Sequence, residues 1–414
     1  MTVIMKIFDN PRILDSYIYK FVHLFLSIFI ILWMFSGISQ LYLQLIPAYI
    51  KFGICIFWLL LSCLSLSFIK LEIKVMWPLA LFLLYITVIY VFFNNDQITS
   101  TNIYQCVYLA IISSIALYYI KIADMKYCRL LLIAVFLDLI ILIINTNYWL
   151  FTNGSLSRFL STGNEIYNYY IPKDVPFIIA TYPHAYAMVI LCFYTFYLSL
   201  KENKKFIIAF IFLVITLIRM KFMTSLLFVI LLIIFLLIKI NYEKIRKILN
   251  LKRLLLLFIG IYLSSLLLCK LLLISNVLPE VLEIRLSEIF QLLCLSLDKN
   301  TDLYMRLDFY IASLRIFVES PFLGSMGNSL GIGCHSTFLD FFALYGLPTI
   351  LLIVYYIQLY KAISYKSFII FITFIYYLLL SLINNAFLSP IMLYLILIIP
   401  LLECFRKTRC KKSF

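Results

Sequence analysis

The sequence predicts an all-α polytopic membrane protein with about twelve transmembrane helices, both termini cytoplasmic, and one long loop on the outer face. Three observations predict it. Hydrophobic residues fill 65% of the 414 positions and charged ones only 13%, a balance that no soluble core requires. Mean hydropathy is +1.07. The apolar runs reach the ~20 residues that a helix needs to cross a bilayer. In a soluble chain the formal net charge of +15 would point to nucleic acid. Here Lys and Arg belong to cytoplasmic loops, and no nucleic-acid partner is expected. The first twenty residues are mixed and charged, lack a small-residue cleavage site, and are expected to stay on the chain.

Taken in order, spans are expected near 21–38, 47–69, 75–93, 103–120, 130–150, 177–200, 206–218, 223–238, 254–274, 339–360, 367–383 and 388–403. No repeat of 20–50 residues and no Gly/Ser-rich linker divides them. Residues 1–414 therefore read as a single integral membrane domain, with a large outer loop at 275–338 within it. The ten cysteines show no metal-ligand spacing, and no metal site is expected. Cys55, Cys63, Cys106 and Cys192 lie in apolar spans as small hydrophobes. Cys294 and Cys334 share the outer loop, where pairing between them stays open.

The run 206–238 is too long for one span and short for two. Charge decides. With two short spans, most of the 34 Lys and Arg fall on the cytoplasmic side; with one, they split evenly and Arg219 and Lys221 are stranded in the membrane. The turn Arg219-Met220-Lys221 then lies below the outer headgroups. Cations at that depth either snorkel to the interface or face an anion or a wet cavity.

Within the outer loop, 303–320 has helical spacing, with Met305, Phe309, Ala312 and Ile316 on one side. Pro321, Gly324, Gly327 and Gly331 end it. Arg306 and Arg315 are nine residues apart, about two and a half turns, so one unbroken helix cannot aim both at one point. Thr337-Phe338-Leu339-Asp340 has capping-box form ahead of the apolar run 341–357. His335 then stands just outside a helix N-terminus, which favours an anion and disfavours a proton on the imidazole. A neutral imidazole beside a docked anion can act as a general base; a plain loop histidine is the alternative. Asp138 lies mid-span, where acids serve either function or a structural partner. His184 reads as lining an acceptor groove or packing between helices, and His23 as interfacial.

His335-Ser336, nine residues, Gly346, two residues and Thr349 form the pattern H-[NSQ]-x9-G-x2-[GTY]. In this the chain resembles the bacterial O-antigen ligase and O-antigen polymerase families, which carry the pattern where a long periplasmic loop enters a span. Arg306-Leu-Asp-Phe-Tyr310 and Pro321-Phe-Leu-Gly324 are similar to elements that precede it there, and Arg219 to an outer-edge arginine. Ser325-Met326-Gly327 departs from the tighter Gly-x-Gly often found in those families.

The resemblance implies a GT-C-like, metal-independent glycosyltransferase of the bacterial inner membrane, with no cofactor and an active site facing the periplasm. Donor and acceptor would be oligosaccharides on undecaprenyl diphosphate, drawn from the membrane lipid phase, and a chain-length regulator protein is a further implied partner. It assigns His335 to orienting or deprotonating the attacking hydroxyl in an inverting displacement. Arg219 and Arg306, then Arg315 and Lys221, would bind the diphosphate, whose oxygens suit arginine forks. Ser336 and Asp340 would support. The aromatic-rich, Gly-poor composition favours an O-antigen polymerase; a ligase to lipid A core shares the motif. A flippase for the same lipid would spread charge along many helices and keep its outer loops short.

Overall fold

The computed structural model describes residues 16–35, 47–93, 96–152, 154, 156–157, 179–241, 263–264, 266–267, 269–274, 280–294, 296, 298–299, 301–364, 367–386 and 389–412. Among them the regular structure is entirely helical. The chain forms α1 (Tyr17–Met34), α2 (Ala48–Ser62), α3 (Leu66–Phe92), α4 (Gln97–Lys121) and α5 (Met125–Thr152). Next come α6 (Tyr182–Lys201), α7 (Phe206–Met220), α8 (Met223–Ile240), α9 (Glu280–Leu293) and α10 (Asp302–Glu319). The rest is α11 (Thr337–Tyr345), a 3₁₀ turn (Leu347–Thr349), α12 (Ile350–Ile363), α13 (Phe368–Ile383), α14 (Ser389–Met392), a π turn (Leu393–Ile398) and α15 (Ile399–Lys412).

Six of these helices are long and apolar enough to cross a membrane: α1, α3, α4, α5, α6 and α8. Four shorter apolar helices accompany them, at Tyr49–Ser62, Phe206–Met220, Leu347–Ile363 and Phe368–Ile383. The expected span at 254–274 falls largely outside the described residues. The one expected at 388–403 is divided among α14, the π turn and α15. The run 206–238 breaks into two helices at Lys221, whose φ of 59° is left-handed. A left-handed residue is a common helix stop, since the chain cannot continue its right-handed path through it. With 15 and 18 residues, α7 and α8 rise ~22 and ~27 Å, both short of the ~30 Å hydrocarbon layer.

Two helices form the centre. The most apolar window of α4 and of α6 is 67% buried, against 28% in α8, so α4 and α6 are surrounded while α8 keeps an open apolar flank. Leu84, Ile133 and Ile234 also face outward, as lipid contact demands. The central α4 is unusually polar for its burial, and each of four side chains reaches a different element. The Thr99 hydroxyl donates to the Gly327 carbonyl at 3.1 Å and the Asn102 amide to the Tyr345 hydroxyl at 2.9 Å. Ser113 meets Tyr355, and Ser114 donates to Glu72. Buried polar groups are tolerable only when hydrogen-bonded, so these contacts fix what α4 must pack against. The first two tie its N-terminal half to the loop after α10 and to the end of α11.

Cys55, Cys106 and Cys192 are buried as expected of small hydrophobes, and Cys294 and Cys334 are exposed free thiols, not a disulfide. His23 is 1% exposed inside an aromatic cluster, covered by Tyr118 and Trp58.

Candidate functional site

The site grows from one helix face and one capped loop. Thr301 opens α10 by accepting from the Tyr304 amide. On α10, Arg306, Phe309, Tyr310 and Ser313 recur at helical spacing and point the same way. Arg306 Nη1 donates to Asn384 Oδ1 at 3.1 Å, and the Tyr310 hydroxyl donates to the Ile383 carbonyl. Phe309 lies against the His335 ring with centroids 4.7 Å apart. Ser313, buried, donates to Asp340 Oδ1 at 2.6 Å and accepts from the Gly333 amide at 3.1 Å. The face that packs is therefore Arg306/Tyr310/Ser313 with Phe309, not the Met305/Phe309/Ala312/Ile316 side expected from apolar spacing. Met305 and Phe309 remain more than a third exposed.

Gly333 is held against α10 so closely that a Cβ there would lie 2.3 Å from the Phe309 carbonyl oxygen. Cys334 then takes a left-handed φ of 56°, turning the chain so that His335 stands half-buried just ahead of α11. The helix cap lies one residue earlier than the Thr337-to-Asp340 box read from sequence. Ser336 is the N-cap and accepts from the Leu339 amide at 3.3 Å, while Asp340 Oδ2 accepts from the Ser336 amide at 2.9 Å. Asp340 thus holds the loop backbone and Ser313. Thr337 instead reaches across to α13: its hydroxyl accepts from the Ala386 amide at 2.8 Å, and its amide donates to the Asn384 carbonyl at 3.3 Å.

The other end of α11 is sealed by the Pro321–Gly327 turn. Ser325 N donates to the Ala343 carbonyl at 2.8 Å, Gly327 N to Leu344 at 3.0 Å, and Leu347 N to Pro321 at 2.9 Å. The Ala343 and Leu344 carbonyls are ones that the end of α11 would otherwise leave without partners. Met326, between Ser325 and Gly327, takes a left-handed φ of 53°. The Thr349 hydroxyl donates to the Phe341 carbonyl at 2.9 Å and fixes the kink into α12. Of the motif residues, Ser336 caps, Gly346 and Thr349 make the kink, and His335 is half-buried with its ring against Phe309. The turn is anchored to α4 by Asp96, whose carboxylate accepts from the Ser329 hydroxyl at 2.6 Å, the Ser329 amide at 3.3 Å and the Ile98 amide at 2.8 Å. Those bonds, led by the Ser329 hydroxyl, hold the Asp96 carboxyl below its ordinary 3.8.

The remaining cations divide. Arg219 is exposed at the end of α7, where Nη1 approaches Asn147 Oδ1 at 3.4 Å, and Asn147 in turn donates to Thr216 at 2.8 Å. Lys221 lies beside Gly154, where a Cβ would be 3.6 Å from its Nζ. Tyr186 on α6 bridges toward the other half: it is within hydrogen-bonding reach of Thr224 and within electrostatic range of Arg306 and Tyr310. Arg315 is exposed and, nine residues along the unbroken α10, turned about 180° from Arg306. The structure brings Arg306, Tyr310, Phe309 and His335 together and leaves Arg315 on the far side. His184 is buried, its Nδ1 accepting from the Thr181 amide at 3.2 Å, and packs rather than lines a groove. Asp138 is buried mid-helix in α5. Sequence reasoning passed over Asn384, Asn385 and Tyr186. The doublet Asn384-Asn385 between two apolar helices was the available signal.

Compared with protein-family models, with curated proteins and with solved structures, the chain has no significant match.

Proposed function

We propose that this chain is a membrane glycosyltransferase of the O-antigen polymerase kind, joining lipid-linked oligosaccharide repeat units at the outer face of the bacterial inner membrane. The full reading has twelve spans, cytoplasmic termini, and the 275–338 loop in the periplasm. The observation that carries it is the shared face of α10, where the half-buried Arg306 and the ring bearing on His335 sit one turn apart.

In this reading the undecaprenyl-diphosphate donor docks its diphosphate on Arg306, with Arg219 and Lys221 completing the cationic side. His335 takes the proton from the acceptor hydroxyl as that oxygen attacks the anomeric carbon. The new C–O bond forms with inversion, the bond from the anomeric carbon to the diphosphate oxygen breaks, and the electron pair leaves on the diphosphate. That leaving group is already a stable anion, so fixed cations serve where a protonated acid would otherwise be needed. The lipid chains of donor and acceptor lie against the apolar outer faces of the helices, and a chain-length regulator is the protein partner to seek.

Deletion of the gene in its host, followed by lipopolysaccharide electrophoresis, tests the reading. Core carrying a single repeat unit without a ladder supports a polymerase. Bare core removes polymerisation as the primary role and leaves a ligase or a flippase.

A further inference from the structure

Arg219 and Arg306 are held in the same way: each meets a side-chain amide, and among the described residues neither pairs with a carboxylate. Arg406 is held otherwise. It sets Nε and Nη2 on the buried Glu403 carboxylate at 2.8 and 3.0 Å. A carboxylate fixes an arginine by offsetting its charge. An amide oxygen fixes it and leaves the charge intact.

Arg306 is half-buried, and the groups that meet its guanidinium are neutral. Asn384 Oδ1 accepts at 3.1 Å, the Tyr310 oxygen lies within hydrogen-bonding reach, and Tyr186 lies within electrostatic range. The Tyr310 proton is already given to the Ile383 carbonyl, so that hydroxyl can only accept from the guanidinium. A half-buried cation met by neutral acceptors alone lacks a counter-charge, and an anion that docks there supplies it.

The same chemistry orients the Asn384 amide. A guanidinium only donates, so the end of Asn384 that faces it is the oxygen, and the other end is the NH2 group. That nitrogen has no acceptor among the described residues, and it is not sealed from solvent, since the residue is only half-buried. Bonded to the same carbon as Oδ1, it stands within reach of an anion that meets Arg306. The backbone beneath it is fixed at both ends. Asn384 N donates to the Leu380 carbonyl at 2.7 Å, and the Asn384 carbonyl accepts from the Thr337 amide at 3.3 Å, so the side chain is presented from a held position. Asn147 differs. Its nitrogen is spent on Thr216 and on the Ile143 carbonyl, at 2.8 and 3.0 Å, which leaves only its oxygen to position Arg219. We propose that Asn384 is a further diphosphate-binding residue: its oxygen aims Arg306 without neutralising it, and its amide nitrogen donates to an oxygen of the same diphosphate. This role deepens the glycosyl-transfer reading and rests on it for the identity of the anion.

Farnesyl diphosphate, a short polyprenyl diphosphate, is titrated calorimetrically into the full chain in detergent, beside melting curves and polymer formation in isolated membranes. Asn384→Asp still accepts from Arg306, but it offsets the charge and removes the NH2 donor. It should melt at or above the parent and yet bind about tenfold more weakly or worse, a split that a purely structural amide would not give. Asn384→Ala leaves the Arg306 charge free. It should bind about threefold to tenfold more weakly than the parent, and so better than Asn384→Asp despite a lower melting temperature. No binding by the parent, parent-like binding by either variant, or binding that merely tracks the melting temperature overturns the proposal and leaves Asn384 a structural tie. The expected losses with no polymer from any of the proteins, the parent included, would keep the diphosphate site and remove the glycosyl-transfer reading. Polymer from the parent beside a fully active Asn384→Asp would remove the proposal alone.

Discussion

Gly324 and Gly346 meet backbone to backbone: a Cβ on Gly346 would lie 2.7 Å from the Gly324 amide nitrogen, and one on Gly324 would lie 2.6 Å from the Ala343 carbonyl oxygen. Both glycines also hold a left-handed φ, +63° and +65°. The Pro321–Gly327 turn can close on the end of α11 only because neither residue has a side chain. Gly346→Ala therefore combines backbone strain with a clash against backbone, which has no flexible end to move aside. A loss on the order of 3 kcal/mol is expected, read as a clear drop in melting temperature of the purified protein. A Gly346→Ala protein that melts like the parent would remove the close approach from the account.

Arg306 and Arg315 share one helix and point to opposite sides, which separates their fates. On the proposed reading, Arg306→Ala should cut polymer formation by about 100-fold, because it would remove a fixed cation facing the developing charge. Arg306→Lys should recover part of it, as a point charge without the fork. Arg315→Ala should stay within about twofold, as expected of an exposed residue away from the site. Ladder intensity in a complemented deletion strain measures all three, and equal losses at 306 and 315 would undo the assignment.

Much of this arrangement was legible in the sequence for identifiable reasons. The break at Lys221 followed from run length and charge, and the end of α10 from Pro321 and the glycines after it. Helical periodicity misjudged the packing face of α10, because the face that docks is polar: Arg306, Tyr310 and Ser313 are fixed by hydrogen bonds, to which apolar spacing is blind. The cap of α11 was misplaced by one residue because Ser336 and Thr337 are both good caps; the pull of Thr337 toward Ala386 and Asn384 decides between them. The role of α4 was unreadable, since Thr99 and Asn102 have partners more than 200 residues away.

Asp96 links that helix to the turn through Ser329 and caps α4 through Ile98. Its carboxyl is held below the ordinary 3.8, chiefly by the Ser329 hydroxyl. A depressed folded-state value means the carboxylate stabilises the fold fully above about pH 4, and that contribution fades as pH falls from there through the folded-state value. Asp96→Asn keeps an N-cap side chain and removes the charge; Asp96→Ala removes both and should cost about 1 kcal/mol more. Melting curves at pH 7 and pH 3 test the sign: the gap between parent and Asp96→Asn should narrow at the lower pH. A gap that widens in acid contradicts it.

His335 and Asp340 are adjacent in space but differ in what they hold. Asp340 accepts from Ser313 and from the Ser336 amide, so Asp340→Ala leaves buried donors unmatched and should destabilise the fold by about 1–3 kcal/mol. His335 is half-buried with its ring on Phe309 and lies outside α11, so His335→Ala should melt close to the parent. Its activity should nevertheless fall by about 100-fold or more, the scale on which a general base acts. Polymer formed from lipid-linked repeat units in isolated membranes, with a melting curve on the same preparation, separates the two effects. An active, stable His335→Ala protein would leave the imidazole a loop residue, and the cationic face of α10 would then have to act without it.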